Sequence, residues 1–129
     1  MIQITLARLI TLGLLLLNVA LVTAAQVLLK AGTVKFAAVS QSKGVVSAFF
    51  KIIVNPYIMG GTSCYVLSLV LWIYILTRAK LSMAYPIMSL SYVTVMVLSV
   101  LLFRENINFN QWIGALLIVV GTSLIFIFK

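Results

Sequence analysis

The sequence predicts an all-α membrane protein, with four transmembrane helices and a short interfacial amphipathic helix between helices one and two. Of the 129 residues, 64% are hydrophobic and only 8% are charged, which excludes an ordinary soluble domain. Four charge-free runs of 21, 26, 23 and 23 residues each reach the roughly 20 residues that a bilayer requires. These runs are Leu9–Leu29, Ile52–Thr77, Leu81–Phe103 and Asn106–Phe128. They leave no room for a second domain, so residues 1–129 are expected to form a single four-helix transmembrane domain.

The charge distribution indicates a lipid partner. Nine Lys and Arg residues against one acidic residue give a formal net charge of +8. The basic residues stand at predicted helix ends and in short loops, so we expect them to meet the head groups of the lipid bilayer and not nucleic acid. The two sides of the membrane receive four and five of them, which is almost no positive-inside bias. This balance suits insertion in both directions, or an orientation that a partner subunit sets.

The chain has almost no residues of the types that usually catalyse reactions. The chain has no histidine, and its only cysteine and only acid are Cys64 and Glu105. No disulfide within the chain, metal site, catalytic triad or carboxylate pair can be assembled from these residues. We therefore expect no enzyme activity, no cofactor and no metal.

The first helix carries a sparse polar line. Polar residues occupy three of four positions spaced four residues apart on one face, namely Asn18, Gln26 and Lys30. The remaining position of this series, Val22, is apolar. Asn18 and Gln26 are candidates for substrate contact and, equally, for hydrogen bonds between helices. Lys30, at the end of the line, is a candidate for binding a phosphate, with snorkelling to the membrane interface as the alternative.

The segment after this helix is predicted to contain the one true linker. Residues 31–43 include Gly32 and other turn-forming residues. The next stretch, Val45–Val54, has polar side chains on one face and phenylalanine and isoleucine on the other, so it predicts a short helix lying on the bilayer. Asn55 ends that helix, because a residue before proline, here Pro56, avoids the helical region.

The second helix, from about Tyr57 to Thr77, has a face of small and aromatic residues. Gly61 and Trp72 share this face. One interpretation of this face is close packing of another helix against Gly61, and the other is that Trp72 lines a site for a bound ligand. The following loop, Arg78–Lys80, is so short that helices two and three must be antiparallel neighbours.

The third helix contains a proline and several hydroxyl-bearing residues, which are energetically unfavourable in the hydrocarbon core of a bilayer. Pro86 has no N–H to donate to the carbonyl of Ser82, so the helix must bend or leave an acceptor free. Ser82, Tyr85, Ser89 and Tyr92 fall on one stripe at steps of three, four and three, which predicts a face toward protein or a wet cavity. The alternative is that Ser82 caps the helix and the hydroxyls hold helices together.

Two features follow the third helix. Glu105 either pairs with Arg104 or a nearby lysine, or binds an amine on a ligand. The fourth helix, from about Gln111 to Phe128, has Gly114 and Gly121 seven residues apart on one face. This spacing predicts a dimer interface, or close packing within the chain.

Several segments together resemble a known family. They are the run AYPIMSLSYV at Ala84–Val93, the acid after helix three, and the segment QWIG at Gln111–Gly114 with Gly121 further on. The chain resembles the four-helix drug/metabolite transporters, which include the small multidrug resistance proteins. They also include paired small subunits proposed to flip undecaprenyl-phosphate-linked aminoarabinose. The helix-three run, Trp72 and the interfacial stretch resemble these flippase subunits more closely.

The resemblance carries expectations about transport. The drug exporters share a membrane-embedded glutamate in helix one, and Val22 stands at that place here, so we do not expect proton-coupled export by that mechanism. The resemblance implies a bacterial inner-membrane protein that flips a polyprenyl-phosphate-linked (amino)sugar, as a homodimer or as a heterodimer with a similar small subunit. The alternatives are an exporter of cationic compounds and a non-transporting membrane helper of a glycosyltransferase. The expected substrate-binding residues are Asn18, Gln26, Lys30, Trp72, Tyr85, Ser89, Tyr92 and Glu105.

Overall fold

A computed structural model of the chain describes residues 2–39 and 51–127, and this part of the chain is helical without strands. The helices are α1 (Ile2–Val39), α2 (Pro56–Leu76), α3 (Leu81–Met88), α4 (Leu90–Phe103) and α5 (Phe109–Ile127). Within these residues, three stretches are long and apolar enough to cross a membrane, namely Leu6–Lys35, Pro56–Leu76 and Leu81–Phe103, and a shorter apolar helix spans Phe109–Ile125. The predicted all-α membrane architecture is confirmed to this extent.

The first helix is longer than the sequence predicts. It continues to Val39, so the first part of the predicted linker 31–43 is helix, and that part of the prediction is wrong. Gly32 lies inside α1 where α2 crosses it, and a Cβ at this position would stand 2.6 Å from Cγ1 of Ile58. Close approach of two helices, and not a turn, therefore explains this glycine. Most of the predicted interfacial helix lies outside the described residues, although residues 51–53 are helical.

Asn55 is non-helical, so the predicted break before Pro56 is present, and Asn55 also caps the start of α2, a role that the sequence reasoning did not assign. Asn55 is extended, with ψ 122°, and its side-chain oxygen accepts a hydrogen bond from the Tyr57 backbone N–H at 2.9 Å. Pro56 occupies the first helical turn, where its missing N–H costs nothing. The Asn55 amide also donates to the Gly32 carbonyl at 3.4 Å, which ties the start of α2 to α1.

The contact between α1 and α2 depends on a second glycine. Gly61 is buried, and a Cβ there would stand 2.9 Å from Cγ of Leu29 and 3.0 Å from the backbone oxygen of Ala25. A larger residue would therefore push the two helices apart. This geometry confirms the close-packing interpretation of Gly61.

The third predicted span is interrupted at Ser89, between α3 and α4. Pro86 lies inside α3, and its own carbonyl accepts hydrogen bonds from Oγ of Ser89 at 2.5 Å and Oγ1 of Thr122 at 3.1 Å. Two hydroxyls thus satisfy a carbonyl at the interruption, as a bilayer environment requires. The predicted helix-three disturbance is present, but it follows Pro86. The helix begins with Lys80 at the capping position, so the suggestion that Ser82 caps it is wrong.

The buried core lies near the short loop that joins α2 to α3. It consists of Leu15 and Val19 from α1, Ile75 from α2, and Ala84 and Ile87 from α3. Helix α1 is central, since it contacts α2, α3 and α4. The antiparallel arrangement of helices two and three, which the short loop predicts, stays a prediction.

The last helix, α5, packs on α3 and α4. Its start resembles a capping box, because Oε1 of Gln111 accepts a hydrogen bond from the Asn108 N–H at 2.8 Å. Among the described residues, no atom lies within 4 Å of where a Cβ would stand at Gly114 or Gly121. Close packing within the described chain therefore does not explain these two glycines, and their role in a dimer interface stays a prediction.

Candidate functional site

Lys30 and Glu105 form a salt bridge between α1 and the loop after α4. Nζ of Lys30 lies 2.7 Å from Oε1 of Glu105, and the two side chains are 48% and 41% exposed. The hydrogen bond from Lys30, together with its charge, holds the pKa of Glu105 below its usual range. Glu105 is therefore ionised at neutral pH. Pairing with a nearby lysine was one of the two predicted roles of this acid, and the structure shows which lysine it is.

Arg104, the residue before Glu105, ends α4 in an uncommon backbone conformation. Its φ of 52° and ψ of 37° place it in the left-handed region, which is unfavourable for residues other than glycine. The chain turns there as it leaves α4, and the Glu105 N–H lies 3.4 Å from the carbonyl of Ser99. This left-handed turn at Arg104 was missed in the sequence, because no pattern of side chains signals a positive φ at a non-glycine residue.

A small polar pocket of about 150 Å³ surrounds the ion pair. It is lined by Gln26, Val27, Lys30, Val95, Ser99, Phe103 and Glu105. The Gln26 amide donates a hydrogen bond to the Tyr65 hydroxyl, which connects the pocket to α2. The pocket is large enough to hold water or a small polar group. Three of the predicted substrate-binding residues, Gln26, Lys30 and Glu105, therefore meet at one place.

A larger apolar groove of about 880 Å³ lies between α1 and α4. Its lining residues are Leu16, Val19, Ala20, Thr23, Ala24, Val27, Leu28, Val93, Thr94, Val97 and Leu98. Thr23 and Thr94 are the hydroxyl-bearing members, and their Oγ1 atoms lie 2.9 Å apart. Val27 lines both cavities, so the groove adjoins the polar pocket there. The sequence reasoning missed this groove, because its residues are ordinary apolar residues of two separate helices.

Asn18 joins helices and lines neither cavity. Its side chain is 1% exposed, its oxygen accepts a hydrogen bond from Oγ of Ser68 at 2.7 Å, and its amide donates to the sulfur of Met88 at 3.6 Å. Both ends of the amide therefore have protein partners. This arrangement favours the interhelical alternative for Asn18 over substrate contact.

The predicted stripe of helix three lines neither the polar pocket nor the apolar groove. Tyr85 and Tyr92 are 61% and 72% exposed. Tyr85 meets the Trp72 ring edge to face, with ring centroids 5.4 Å apart. Ser89 faces α5, where its Oγ lies 3.1 Å from Oγ1 of Thr122. These four predicted site residues lie away from the ion pair, and their binding role stays a prediction.

The fold and the site define a class of protein. Apolar helices of membrane length, joined by buried hydroxyl and amide pairs, make this a multi-pass membrane protein. A model of the EamA-like transporter family matches residues 1–127. The chain belongs to this family, which confirms the predicted resemblance to drug/metabolite transporters.

Several relatives carry flippase names. "Probable 4-amino-4-deoxy-L-arabinose-phosphoundecaprenol flippase subunit ArnE" of Aeromonas hydrophila is 39% identical over 71 residues, which cover 55% of this chain and 62% of that protein. The corresponding ArnF subunit of Proteus mirabilis is 37% identical over 81% of this chain and 83% of its own length. ArnF of Photorhabdus laumondii is 35% identical over 85% and 91%. The chain thus spans under two thirds of the ArnE relative and most of the ArnF relatives. No solved structure matches it.

Proposed function

We propose that this protein is a four-helix subunit of an inner-membrane transporter that flips a polyprenyl-phosphate-linked aminosugar. It acts as a dimer, without enzymatic chemistry and without a cofactor. The observation that carries the proposal is the Lys30–Glu105 ion pair, which places a cation and an anion side by side where an apolar groove adjoins a polar pocket. The names of the relatives describe a substrate with a matching amine, phosphate and polyprenol.

The two charges of the ion pair complement the two charges of such a head group. A phosphate is recognised by cationic N–H donors, which Lys30 supplies, and a protonated amine needs an anion, which Glu105 supplies. Both side chains are about half exposed, so a ligand can reach them. When the phosphate binds Lys30 and the amine binds Glu105, one ion pair is exchanged for two. No charge is left unpaired in this exchange, which keeps its cost low.

The sugar hydroxyls need neutral hydrogen-bonding groups near these charges. Gln26 and Ser99 line the same pocket and provide an amide and a hydroxyl. In this proposal the sugar ring lies at the pocket, where these two groups reach its hydroxyls. A second subunit that packs against the Gly114 and Gly121 face supports this arrangement by enclosing more of the head group.

The energy source in this proposal is consumption of the product. Val22 stands where the drug exporters carry a membrane-embedded acid, and the only acid of this chain lies outside the apolar helices. Transport is therefore not coupled to a proton within the membrane. The lipid moves down its own gradient, and its direction is set by removal of the flipped lipid on the far side.

A charge exchange tests the proposal. Wild-type protein, Glu105→Gln and the double variant Lys30→Glu/Glu105→Lys are reconstituted in liposomes, and translocation of a radiolabelled polyprenyl-phosphate aminosugar is measured. The double variant retains an ion pair but reverses the order of its charges. We expect it to lose at least tenfold in rate, whereas Glu105→Gln loses activity toward amino sugars and retains activity toward neutral ones. Full activity of the double variant, or equal translocation with and without protein, would reject the proposal.

A second function is favoured by the exposure of Tyr85 and Tyr92. An outward aromatic surface suits contact with another membrane protein, such as a glycosyltransferase that this chain recruits without transporting anything. In that case Tyr85→Ala and Tyr92→Ala abolish function in cells, whereas Lys30→Glu/Glu105→Lys leaves it intact. The opposite pattern supports the flippase.

A further inference from the structure

We infer that the groove between α1 and α4 binds the polyprenyl chain of the transported lipid while the phosphate of that lipid lies at Lys30. The inference rests on the proposed function and adds a binding site for the lipid tail. It starts from the position of the groove, which adjoins the polar pocket at Val27.

The groove has the dimensions and the chemistry of a site for an apolar chain. Its α1 lining extends from Leu16 to Leu28, which at about 1.5 Å for each residue is roughly 18 Å of helix. This length lies within the span Leu6–Lys35, and it is more than half of the roughly 30 Å hydrocarbon core. The volume of about 880 Å³ also lies within the roughly 300–1,000 Å³ that is usual for small-molecule sites.

The groove wall offers a lipid tail few polar atoms. Its residues are aliphatic except for Thr23 and Thr94, which are hydrogen-bonded to each other. Ala20 and Ala24 stand one turn apart on α1, and their short side chains leave space for branched isoprene units. Such units gain dispersion contacts with the valine and leucine side chains around them.

Shape and charge together select the occupant. Lipid tails are as apolar as the groove, so the hydrophobic effect does not favour the groove over the bilayer. Preference for one lipid must therefore come from the fit of its tail and from the pairing of its phosphate with Lys30. A polyprenyl phosphate meets both conditions with one molecule. A helix of a second copy would fill the groove without using the adjoining charges, and Lys30 would stay paired with Glu105.

Filling the groove tests the inference. Ala24→Phe and Val97→Phe place a ring in it, and Ala7→Phe and Val70→Phe place the same ring at exposed positions of α1 and α2 outside it. The probe is undecaprenyl phosphate without sugar, bearing a photoreactive diazirine on its tail, in phosphatidylcholine vesicles. Crosslinked peptides are quantified by mass spectrometry. We expect at least a tenfold loss of crosslinking in Ala24→Phe and Val97→Phe, and less than a twofold change in the two controls.

The wild-type crosslink map gives a readout that no substitution can disturb. We expect labels on residues 16–28 and 93–98, and labels spread evenly over the lipid-facing surface would overturn the inference. Unchanged crosslinking in Ala24→Phe and Val97→Phe would also overturn it, even if transport is normal. Disulfides between two copies carrying Ala24→Cys in a Cys64→Ser background would show a protein interface instead. If the probe crosslinks to the groove but the protein does not translocate lipid, the proposed function is rejected and the binding site for the lipid tail is retained.

Discussion

The hydroxyl of Ser68 donates a 2.7 Å hydrogen bond to the side-chain oxygen of Asn18, and both side chains are buried where α2 meets α1. The Asn18 amide also donates to the sulfur of Met88, so α3 joins the same contact. Inside a bilayer no water replaces these partners. Asn18 therefore links the first three helices by buried polar contacts.

Asn18→Leu should destabilise the protein, because the Ser68 hydroxyl loses its acceptor. We expect a decrease of about 1–2 kcal/mol in the free energy of unfolding, measured in detergent micelles. The double variant Asn18→Leu/Ser68→Ala should cost less than the sum of the single variants, since both remove one contact. Transport for each folded molecule should be unchanged. A loss of transport at normal stability would instead show that Asn18 contacts the substrate.

Gly60 and Gly61 are neighbours that should respond to alanine in opposite ways. Gly61→Ala forces a Cβ to within 2.9 Å of Leu29 and 3.0 Å of the Ala25 carbonyl, and should destabilise by about 1–3 kcal/mol. A Cβ at Gly60 would stand 3.7 Å from Cδ1 of Leu28, an ordinary contact. Gly60→Ala should therefore stabilise by up to about 1 kcal/mol through helix propensity. Equal effects in unfolding titrations would contradict the observed packing of α1 on α2.

Gly114→Leu and Gly121→Leu should reduce dimer formation without unfolding the chain. In the described part of the protein a Cβ at either position meets nothing within 4 Å outside its own helix, so we expect the monomer to accept a larger side chain there. A partner helix that approaches closely over these glycines does not. Gly13→Leu, at another open position, is the matched control. Energy transfer between labelled copies in liposomes should fall in the first two variants only, and a fall in all three would locate the interface elsewhere.

The transport rate should be independent of pH near neutrality. Lys30 lowers the pKa of Glu105, so the folded protein releases this proton at a lower pH than the unfolded chain. The ion pair therefore contributes fully to the stability of the fold above the ordinary glutamate pKa of about 4.3. This contribution is lost as the pH falls through the lowered pKa that Glu105 has in the folded protein. In liposomes with equal pH on both sides, we expect a constant rate from about pH 6 to pH 8. A tenfold change within this range would indicate coupling to a proton, and Glu105→Gln would show whether Glu105 carries it.

The short-range features of this chain were predictable because each depends on a few consecutive residues. The break at Asn55 before Pro56 is present as predicted, since the restriction that proline puts on the preceding residue is a local property. The end of α1 was predicted too early, because Gly32 has the same local preference whether it makes a turn or a helix crossing. Only the contact with Ile58 on another helix decides between the two.

The sequence by itself determined that this is an apolar helical membrane protein of a transporter family, because composition, run length and motif are properties of the chain. Tertiary structure decided which of the singled-out polar residues meet. Gln26, Lys30 and Glu105 meet at one pocket, whereas Asn18 is held by Ser68 and Met88. The physical reason is that the rotation and crossing of α1 against α4, and the left-handed turn at Arg104, are set by packing between distant segments. No spacing along the chain encodes these contacts.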